Sequence, residues 1–582
     1  MSFDGLVMAA TRHELLKKIA GGRIEKIYQP LAEEIVLIIH KDRNKFRLLA
    51  SANARDARIH LTGTARENPL TPPLFCMVLR KHLEGGKISG IDQTGLERVL
   101  VIRVEAVDEL GILSEKNLVI EIMGKHSNIV LVDPASNMVL DGINRYSYAT
   151  SRHREILPGR QYTPPPETGK INPLEVGEDE FRSAMWDPDR DMPVESLILQ
   201  SFDGFSPQTC REIVTRAGLE PGMSSQSLGE LELNLLWQVF REIMDNTKSD
   251  RFQPVGCYEG SRPEAFSAIG FTRLPGGVCK TGNMSEILDE FFSVRERQEQ
   301  FRRTAADLNR VVGGEIKKCR KKIAIHEENL RRAENAEILK IFGELITSNI
   351  YQIPRGAKSV EFVNYYDPAG KTVCIELDPR LAPAENAQAY FKRYVKARSG
   401  KTAAESFLVR TRAELAYLES VAVAVNQAEL DNDLVEIRAE LTKEGYIRPA
   451  KTKGPAKKTG PTAEPKPMSF TSGEGLTILV GRNNRQNDYL TMKLAGPDDI
   501  WIHVRDIPGA HVIVQNRQAP DIPDGTLKMA AEIAAFYSRA RESSKVPVDY
   551  TLRKNVRKPK GAKPGMVIYE NYQTIIVEPK SP

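Results

Sequence analysis

The stretch LNRVVGGEIKKCRKKIAIHEENLRRA, residues 308–333, decides the plan of this 582-residue chain. Its seam positions recur at spacings of four and three, which is the pattern of a coiled-coil helix. They are Leu308, Val312, Ile316, Cys319, Ile323, His326, Leu330 and Ala333. The helical pattern runs from about Met284 to Ile346, and at 1.5 Å per residue it would reach on the order of 90 Å. An arm of that length separates the N-terminal part of the chain from the C-terminal part.

A second helical pattern, from about Ala384 to Leu441, returns along the arm. It shows similar spacing in two groups, first at Leu415, Leu418, Ala422 and Val425, and then at Leu430, Leu434, Ile437 and Leu441. Between the two patterns, alternating residues at 359–366 and 372–377 predict a β-hairpin near the tip of the arm. A hairpin between two heptad segments of one chain favours an intramolecular antiparallel pair over the alternative, a coiled coil that joins two chains.

The composition argues against a membrane protein, a secreted protein and a disulfide-rich protein. No run of eighteen apolar residues is present, so we expect no membrane span, and the N-terminus lacks the pattern of a signal peptide. The six cysteines are scattered without a CxxC pair, which predicts neither a structural zinc site nor a disulfide scaffold. The expected location is therefore the reducing cytoplasm. The cysteines are Cys76, Cys210, Cys257, Cys279, Cys319 and Cys374.

Charge is concentrated at the C-terminal end. Residues 451–582 hold 21 Lys and Arg against 13 Asp and Glu, a net charge of +8, whereas the whole chain carries only +5. A basic module beyond a long arm favours a polyanionic partner such as RNA, with a merely soluble basic domain as the alternative.

Changes in composition and in the predicted secondary structure divide the chain into five parts, which make it a multidomain α+β protein. They are a β-rich domain at 1–175, a helical module at 176–282, the arm at 283–447, a basic linker at 448–467 and a small α/β domain at 468–582. In the first part a short helix is predicted at 11–19. In the second, Ser206 and Pro207 predict a helix start after a tight turn, an arrangement similar to a helix-hairpin-helix.

The last part interleaves basic and aromatic residues, as contact with phosphates and stacked bases requires. The possible RNA contacts are Arg482, Arg485, Arg505, Arg557 and Lys558. A metal site at His503, His511, Asp499 and Asp506 is the alternative, but the spacing matches no common ligand pattern, so no metal is predicted.

Several stretches carry a resemblance to a known family. They are FDG at 3–5, GRIEKIYQP at 22–30, PLFCMVLRKHL at 73–83, EIMGKHSN at 121–128 and LPG at 157–159. Together they resemble the NFACT family over essentially the whole chain, and residues 468–582 resemble its NFACT-R RNA-binding domain. The resemblance implies an N-terminal fold like that of formamidopyrimidine-type DNA glycosylases. Here the chain starts Met-Ser-Phe rather than with the proline nucleophile of those enzymes, which favours binding of nucleic acid over repair of DNA.

Two short motifs of the family are associated with binding of tRNA. The first, usually Asp-Arg, is Glu97-Arg98 here, and the second is Glu121-Ile122-Met123. Arginine can pair with phosphate or stack on a base, and the carboxylates could accept hydrogen bonds from base amino groups. From the sequence pattern alone, the core of a strand is the favoured interpretation of Ile122 and Met123.

The resemblance implies a ribosome-associated quality-control factor with no catalytic site and no cofactor. Such a factor binds obstructed large ribosomal subunits that carry peptidyl-tRNA. It recruits charged tRNA, expected to be alanyl-tRNA, and directs template-free alanine tailing of the nascent chain. A small RNA-binding partner factor (RqcP) is a further implied partner. The alternatives are a surface adhesin that binds fibronectin and a DNA-repair enzyme.

Overall fold

The computed structural model describes residues 3–107, 111–148, 153–166, 168–186, 191–272, 277–334, 336–449, 465–516 and 522–582. Most of the predicted basic linker and the side chain of Ala333 lie outside the described residues. The chain forms two compact units, Met1–Glu299 and Gln300–Pro582.

The first unit is built on an antiparallel sheet of nine strands. The strands are β1 Arg23–Leu31, β2 Glu34–Lys41, β3 Asn44–Ser51, β4 Arg58–Leu61, β5 Lys87–Gln93, β6 Val99–Val107, β7 Leu113–Glu121, β8 Asn128–Asp133 and β9 Met138–Gly142. Their order is β4-β3-β2-β1-β5-β6-β7-β8-β9. Helices α1 (Gly5–Ile19) and α2 (Leu74–Leu83) pack their apolar residues against one face of this sheet in the main core.

Helix α1 begins six residues earlier than predicted. Residues 6–10 are apolar and wholly buried, so they show no amphipathic period from which a helix could be predicted. The start is set instead by Asp4, whose carboxylate accepts a hydrogen bond from the N–H of Val7 at 3.0 Å.

Four helices follow the sheet, and an aromatic cluster joins α3, the end of α4 and α6. They are α3 Glu178–Met185, α4 Val194–Ser201, α5 Pro207–Arg216 and α6 Glu230–Lys248. Phe181, Phe202 and Phe240 lie with ring centres 4.8 to 5.6 Å apart. The predicted start of α5 is confirmed, because Ser206 Oγ accepts a hydrogen bond from the N–H of Thr209 and Pro207 is the first helical residue.

A small sheet then holds one disulfide, which the scattered cysteines did not predict. Its strands are β10 Val255–Glu259, β11 Arg262–Ser267 and β12 Val278–Thr281. Cys257 and Cys279 form a disulfide. The two residues are 22 positions apart, which hides the pair in the sequence, but antiparallel pairing of β10 with β12 places them opposite each other with Cα atoms 4.1 Å apart.

The arm is an antiparallel helical pair, as predicted. Its elements are α7 Met284–Glu334, α8 Ala336–Ser348, β13 Ser359–Val363, β14 Thr372–Glu376, α9 Pro383–Gln427 and α10 Asp431–Lys443. Asn309 bonds Asn426, Arg320 pairs with Glu419 and Arg412 pairs with Glu327, so the partners on α9 move backward as α7 advances. Strands β13 and β14 form the predicted hairpin.

The C-terminal part of the second unit is a six-stranded antiparallel sheet with one long helix. Its strands are β15 Met468–Thr471, β16 Thr477–Val480, β17 Ile500–Val504, β18 Val512–Val514, β19 Val546–Leu552 and β22 Gln573–Val577, in the order β15-β16-β18-β17-β19-β22. The remaining elements are α11 Asn484–Tyr489, α12 Asp524–Phe536 and the two-stranded ribbon of β20 Val556–Arg557 and β21 Ile568–Tyr569. Helix α12 covers one face of the sheet, and Trp501 is wholly buried on the other.

Among the described residues, no helix combines the length and the apolarity that crossing a bilayer requires.

Candidate nucleic-acid interface

The Glu97-Arg98 pair lies in the turn between β5 and β6. The Leu96 side chain is buried and anchors the turn, and the N–H of Glu97 donates to the carbonyl of Thr94 at 3.0 Å. Gln93 Nε2 donates to the carbonyl of Glu97 at 2.8 Å. The side chains of Glu97 and Arg98 are exposed. The turn therefore holds its backbone in place and presents an acidic and a basic side chain at the surface.

The fold brings the two predicted tRNA motifs together. The N–H of Ile122 donates to the carbonyl of Arg98 at 2.9 Å, and Val99 pairs with Glu121 in the register of β6 and β7. The motifs are separated by more than twenty residues in the chain, so their adjacency is a product of the sheet.

Within the second motif, only Met123 is partly exposed. Ile122 is in the main core, and Glu121 is fully buried. Arg154 contacts the Glu121 carboxylate with both terminal nitrogens, and the Tyr162 hydroxyl donates to it at 2.9 Å. Burial and then the nearby carboxylate raise the pKa of Tyr162.

Glu121 thus fixes the end of β7 from inside, and binding of tRNA by Glu121 and Ile122 themselves stays a prediction. The sequence did not predict a role for Arg154 or Tyr162, because they lie about 30 and 40 residues beyond Glu121 and no motif links them to it.

The turn after α4 packs against Leu96, the residue that precedes the Glu97-Arg98 pair. Gly204 has φ +78°, and a Cβ built there would lie 2.4 Å from Leu96 Cβ, so only glycine fits. The N–H of Gly5 donates to the carbonyl of Gly204 at 2.7 Å. Asp4 accepts a hydrogen bond from the Thr209 hydroxyl at 2.6 Å, and burial raises the pKa of Asp4. The FDG opening and the helix-hairpin-helix-like turn are therefore joined around Leu96.

In the C-terminal domain, four of the five predicted RNA contacts are paired with carboxylates. Arg482 pairs with Asp433 at 3.2 Å and Arg505 with Asp549 at 2.9 Å. Arg557 pairs with Glu570, and Lys558 with Asp488. The fifth, Arg485, forms no ion pair with any residue in the described part of the chain.

Arg482 belongs to an interface with the arm rather than to an open surface. The stretch GRNNRQN, residues 481–487, lies against α9 and α10. Asn483 and Gln486 donate to Glu436 at 2.8 and 2.9 Å. Asn484 donates to Glu440 at 3.2 Å and to Ser420 Oγ at 2.9 Å.

Glu440 is the buried centre of this docking network, which we define as residues 481–487 with Ser420, Asp433, Glu436 and Glu440. The Tyr417 hydroxyl donates to Glu440 at 2.8 Å, and burial raises the pKa of Glu440 to about 7. The domain is held on the base of the arm by these side-chain hydrogen bonds, which come from the same short stretch as the predicted RNA contacts Arg482 and Arg485.

Among the remaining candidates, the side chains of Arg505 and Arg557 are 38% and 67% exposed. The guanidinium carbon of Arg505 lies 5.2 Å from the ring centre of Tyr572, which is 47% exposed. Arg557 is exposed on β20, and Lys560 is exposed in the segment between β20 and β21. Basic side chains beside an open aromatic ring suit contact with RNA. Within the described residues, no three His, Cys, Asp or Glu side chains are grouped so as to hold a metal ion.

Comparison with known proteins agrees with this organisation. Residues 4–460 match the NFACT N-terminal and middle domains, and residues 466–571 match the NFACT protein RNA-binding domain. The chain is 40% identical over 583 residues to the Rqc2 homolog RqcH of Bacillus subtilis, covering all of this chain and 98% of that protein.

Two further similarities cover parts of the chain. The ribosome quality control complex subunit 2 of Schizosaccharomyces pombe is 34% identical over 100 residues, which are 17% of this chain and 9% of that protein. The solved N-terminal part of the fibronectin/fibrinogen-binding protein of Streptococcus suis is 31% identical, with a TM-score of 0.42, and covers 50% of this chain and 99% of that one. On the strength of the two domain matches and the full-length identity, the chain belongs to the NFACT family.

Proposed function

We propose that this protein is a ribosome quality-control factor that binds tRNA and the large ribosomal subunit. The observation that carries the proposal is the exposed Glu97-Arg98 turn, held beside Glu121-Ile122-Met123 in a chain that matches an Rqc2 homolog over its whole length. The name of the S. pombe relative supplies the link to ribosome quality control.

In this proposal the protein positions RNA and performs no bond-making step of its own. Arg98 pairs with a phosphate or stacks on an unpaired base, Glu97 orients it or accepts from a base amino group, and Met123 offers an apolar contact. Holding two reacting groups in place lowers the entropic barrier to reaction, so the ribosome would supply the chemistry and this chain the geometry.

The finer expectations rest on family resemblance and belong to the same proposal. The charged tRNA would be alanyl-tRNA, the product would be an untemplated alanine tail on the peptidyl-tRNA of an obstructed subunit, and RqcP would assist. The protein would act in the cytoplasm on the ribosome. The adhesin hypothesis is not favoured, and surface labelling of intact cells tests it.

Crosslinking and sequencing of bound RNA tests the central claim. We expect tRNA to be enriched with the unmodified protein and lost with Glu97→Ala/Arg98→Ala. The matched control is Arg241→Ala/Glu242→Ala, which removes a neighbouring exposed acid and base on α6. If tRNA is not enriched with the unmodified protein, the function is wrong; if the Glu97/Arg98 variant retains it, only the site is wrong.

A further inference from the structure

The outer face of β1–β3 carries a groove apart from the tRNA motifs. The pairing register places Lys26, Ile38 and Arg47 in one row across the three strands, and Tyr28, Val36 and Leu49 in the next. Val36, Ile38 and Leu49 form a small apolar cluster outside the main core, and Tyr28 packs against it. The sheet therefore has a second apolar cluster on its outer face, in which Val36 and Ile38 keep 7% and 6% of their surface exposed and Tyr28 is partly buried.

The segment at 62–68 closes one side of this groove. The Thr62 hydroxyl donates to Asp289 at 2.6 Å, and the N–H of Gly63 donates to the same carboxylate at 3.0 Å. Arg66 pairs with Glu34 at 3.0 Å and with Glu296 at 2.9 Å. The wall is thus held at Thr62, Gly63 and Arg66, and the groove is built into the fold.

The groove has an excess of positive charge. Lys45 is paired with Glu25 at 2.8 Å, and Arg66 is paired with Glu34. In contrast, Lys26 and Arg47 form no ion pair with any described residue, although both line the groove. Two cations without a carboxylate partner therefore flank an aromatic and aliphatic floor, and Arg47 also donates to the carbonyl of Gly63 in the wall at 3.4 Å.

We propose that this groove binds one nucleotide, with its base on the floor of Tyr28, Val36 and Ile38 and its phosphate between Lys26 and Arg47. An aromatic floor with flanking cations is how proteins hold an unpaired base and its phosphate. The groove is open to solvent, and its volume of about 250 Å³ is just below the usual range for drug-sized ligands, roughly 300–1,000 Å³, which suits a single nucleotide. The site is independent of Glu97-Arg98 and does not rest on the function proposed above.

Direct binding is the first test. Adenosine 5′-monophosphate is titrated into the full chain, with adenosine and inorganic phosphate as partial ligands. We expect the nucleotide to bind more tightly than either part, and Lys26→Ala/Arg47→Ala to weaken it by about tenfold or more, since each charged contact to phosphate is worth about a factor of ten.

Two further variants separate the groove from general effects. Lys17→Ala/Lys87→Ala removes two exposed lysines that are not in the groove and should leave affinity unchanged. Tyr28→Leu keeps an apolar floor but removes the ring, and should lower affinity by about fivefold or more. Thermal melting of each variant confirms that it folds.

Photocrosslinking identifies the source of the nucleotide. A single-stranded RNA that contains 4-thiouridine is crosslinked to the full chain, and the modified peptide is mapped. Crosslinks at Tyr28 that disappear in Lys26→Ala/Arg47→Ala assign the groove to an RNA nucleotide. Binding of the mononucleotide without such crosslinks assigns it to a free nucleotide. If neither ligand depends on Lys26, Arg47 and Tyr28, the proposal is wrong.

Discussion

At the scale of one residue, Glu121 shows that a buried member of a motif can position a binding site without touching the ligand. Its carboxylate is buried with Arg154 and Tyr162, next to the strand end that carries Arg98. The contribution of such a residue is to stability and position, whereas Glu97, exposed on the adjoining turn, can contribute by contact.

This difference predicts opposite outcomes for two glutamates. Glu121→Ala leaves Arg154 buried without its partner and should lower the free energy of unfolding by about 3 kcal/mol or more. Glu97→Ala should change it by less than about 0.5 kcal/mol and yet weaken binding of tRNA. Urea denaturation followed by tryptophan fluorescence measures the first quantity; equal destabilisation by both substitutions would contradict the assignment.

Glu440 gives the docking network a dependence on pH. Its folded-state pKa of about 7 lies above the ordinary 4.5, so folding takes up a proton. The resulting stability is fully present below about pH 4.5 and is lost as the pH rises through 7. Between pH 5.5 and 8 the loss should be about 2 kcal/mol.

Urea denaturation at the two pH values, followed by circular dichroism, measures this loss. Glu440→Gln keeps an oxygen that can accept from Tyr417 and Asn484 but cannot ionise, and should reduce the difference by about that amount. The control is Glu405→Gln, at an exposed position on α9. An unchanged difference in Glu440→Gln would show that another group is responsible.

At the scale of elements, the docking network divides the basic residues of the C-terminal domain into two classes. Arg482 is held by Asp433, whereas Arg485 forms no ion pair with a described residue. We expect Arg485→Ala to weaken binding of single-stranded RNA about three- to tenfold and to reduce its salt dependence. Arg482→Ala should change RNA affinity less than about twofold.

Hydrogen exchange gives the complementary readout for these two variants. Arg482→Ala leaves the buried Asp433 without its partner, so exchange should accelerate in α11. Arg485→Ala should leave it unchanged. The reverse pattern would return Arg482 to the RNA surface and overturn its role in docking.

The sequence predicted elements where a period or a breaker was present. The heptads of α7 and α9, the tip hairpin and the start of α5 at Pro207 were all found. The start of α1 was missed, because a wholly buried segment has no polar face. Helix α11 was missed, because its Asn and Gln are buried by α10, a contact that no local pattern reports.

The sequence predicted the motifs of the candidate site but not how they are arranged. Glu97-Arg98 and Glu121-Ile122-Met123 were identified, but their adjacency, the burial of Glu121 and its partner Arg154 depend on strand pairing. The Cys257–Cys279 bond was missed for the same reason. Which distant residues become neighbours is decided by the register of strand pairing, and that register cannot be derived from the individual residues of a motif.

At the scale of the whole molecule, the length of the arm sets how far its tip hairpin lies from the docking network. Removing seven residues from each helix, 323–329 in α7 and 406–412 in α9, deletes both members of the Arg412–Glu327 pair and keeps the heptad register. We expect binding of isolated tRNA to persist and function on the ribosome to fall, because the reach from the docking network to the tip shortens by on the order of 10 Å.

Two measurements examine this length requirement, namely tRNA affinity in solution and cosedimentation with large ribosomal subunits. Glu405→Ala, within the same arm but without a change of length, is the control. Full activity of the shortened protein would contradict a spacer role for the arm.

The docking network also has a mechanical consequence. A domain fastened to the arm by Arg482–Asp433 and by the hydrogen bonds of Asn483, Asn484 and Gln486 turns with the helices beneath it. Bending or twisting of α9 is then transmitted to the six-stranded sheet as torque. The arm and the domain form a lever with a stiff joint, and deprotonation of Glu440 is the change that would loosen it.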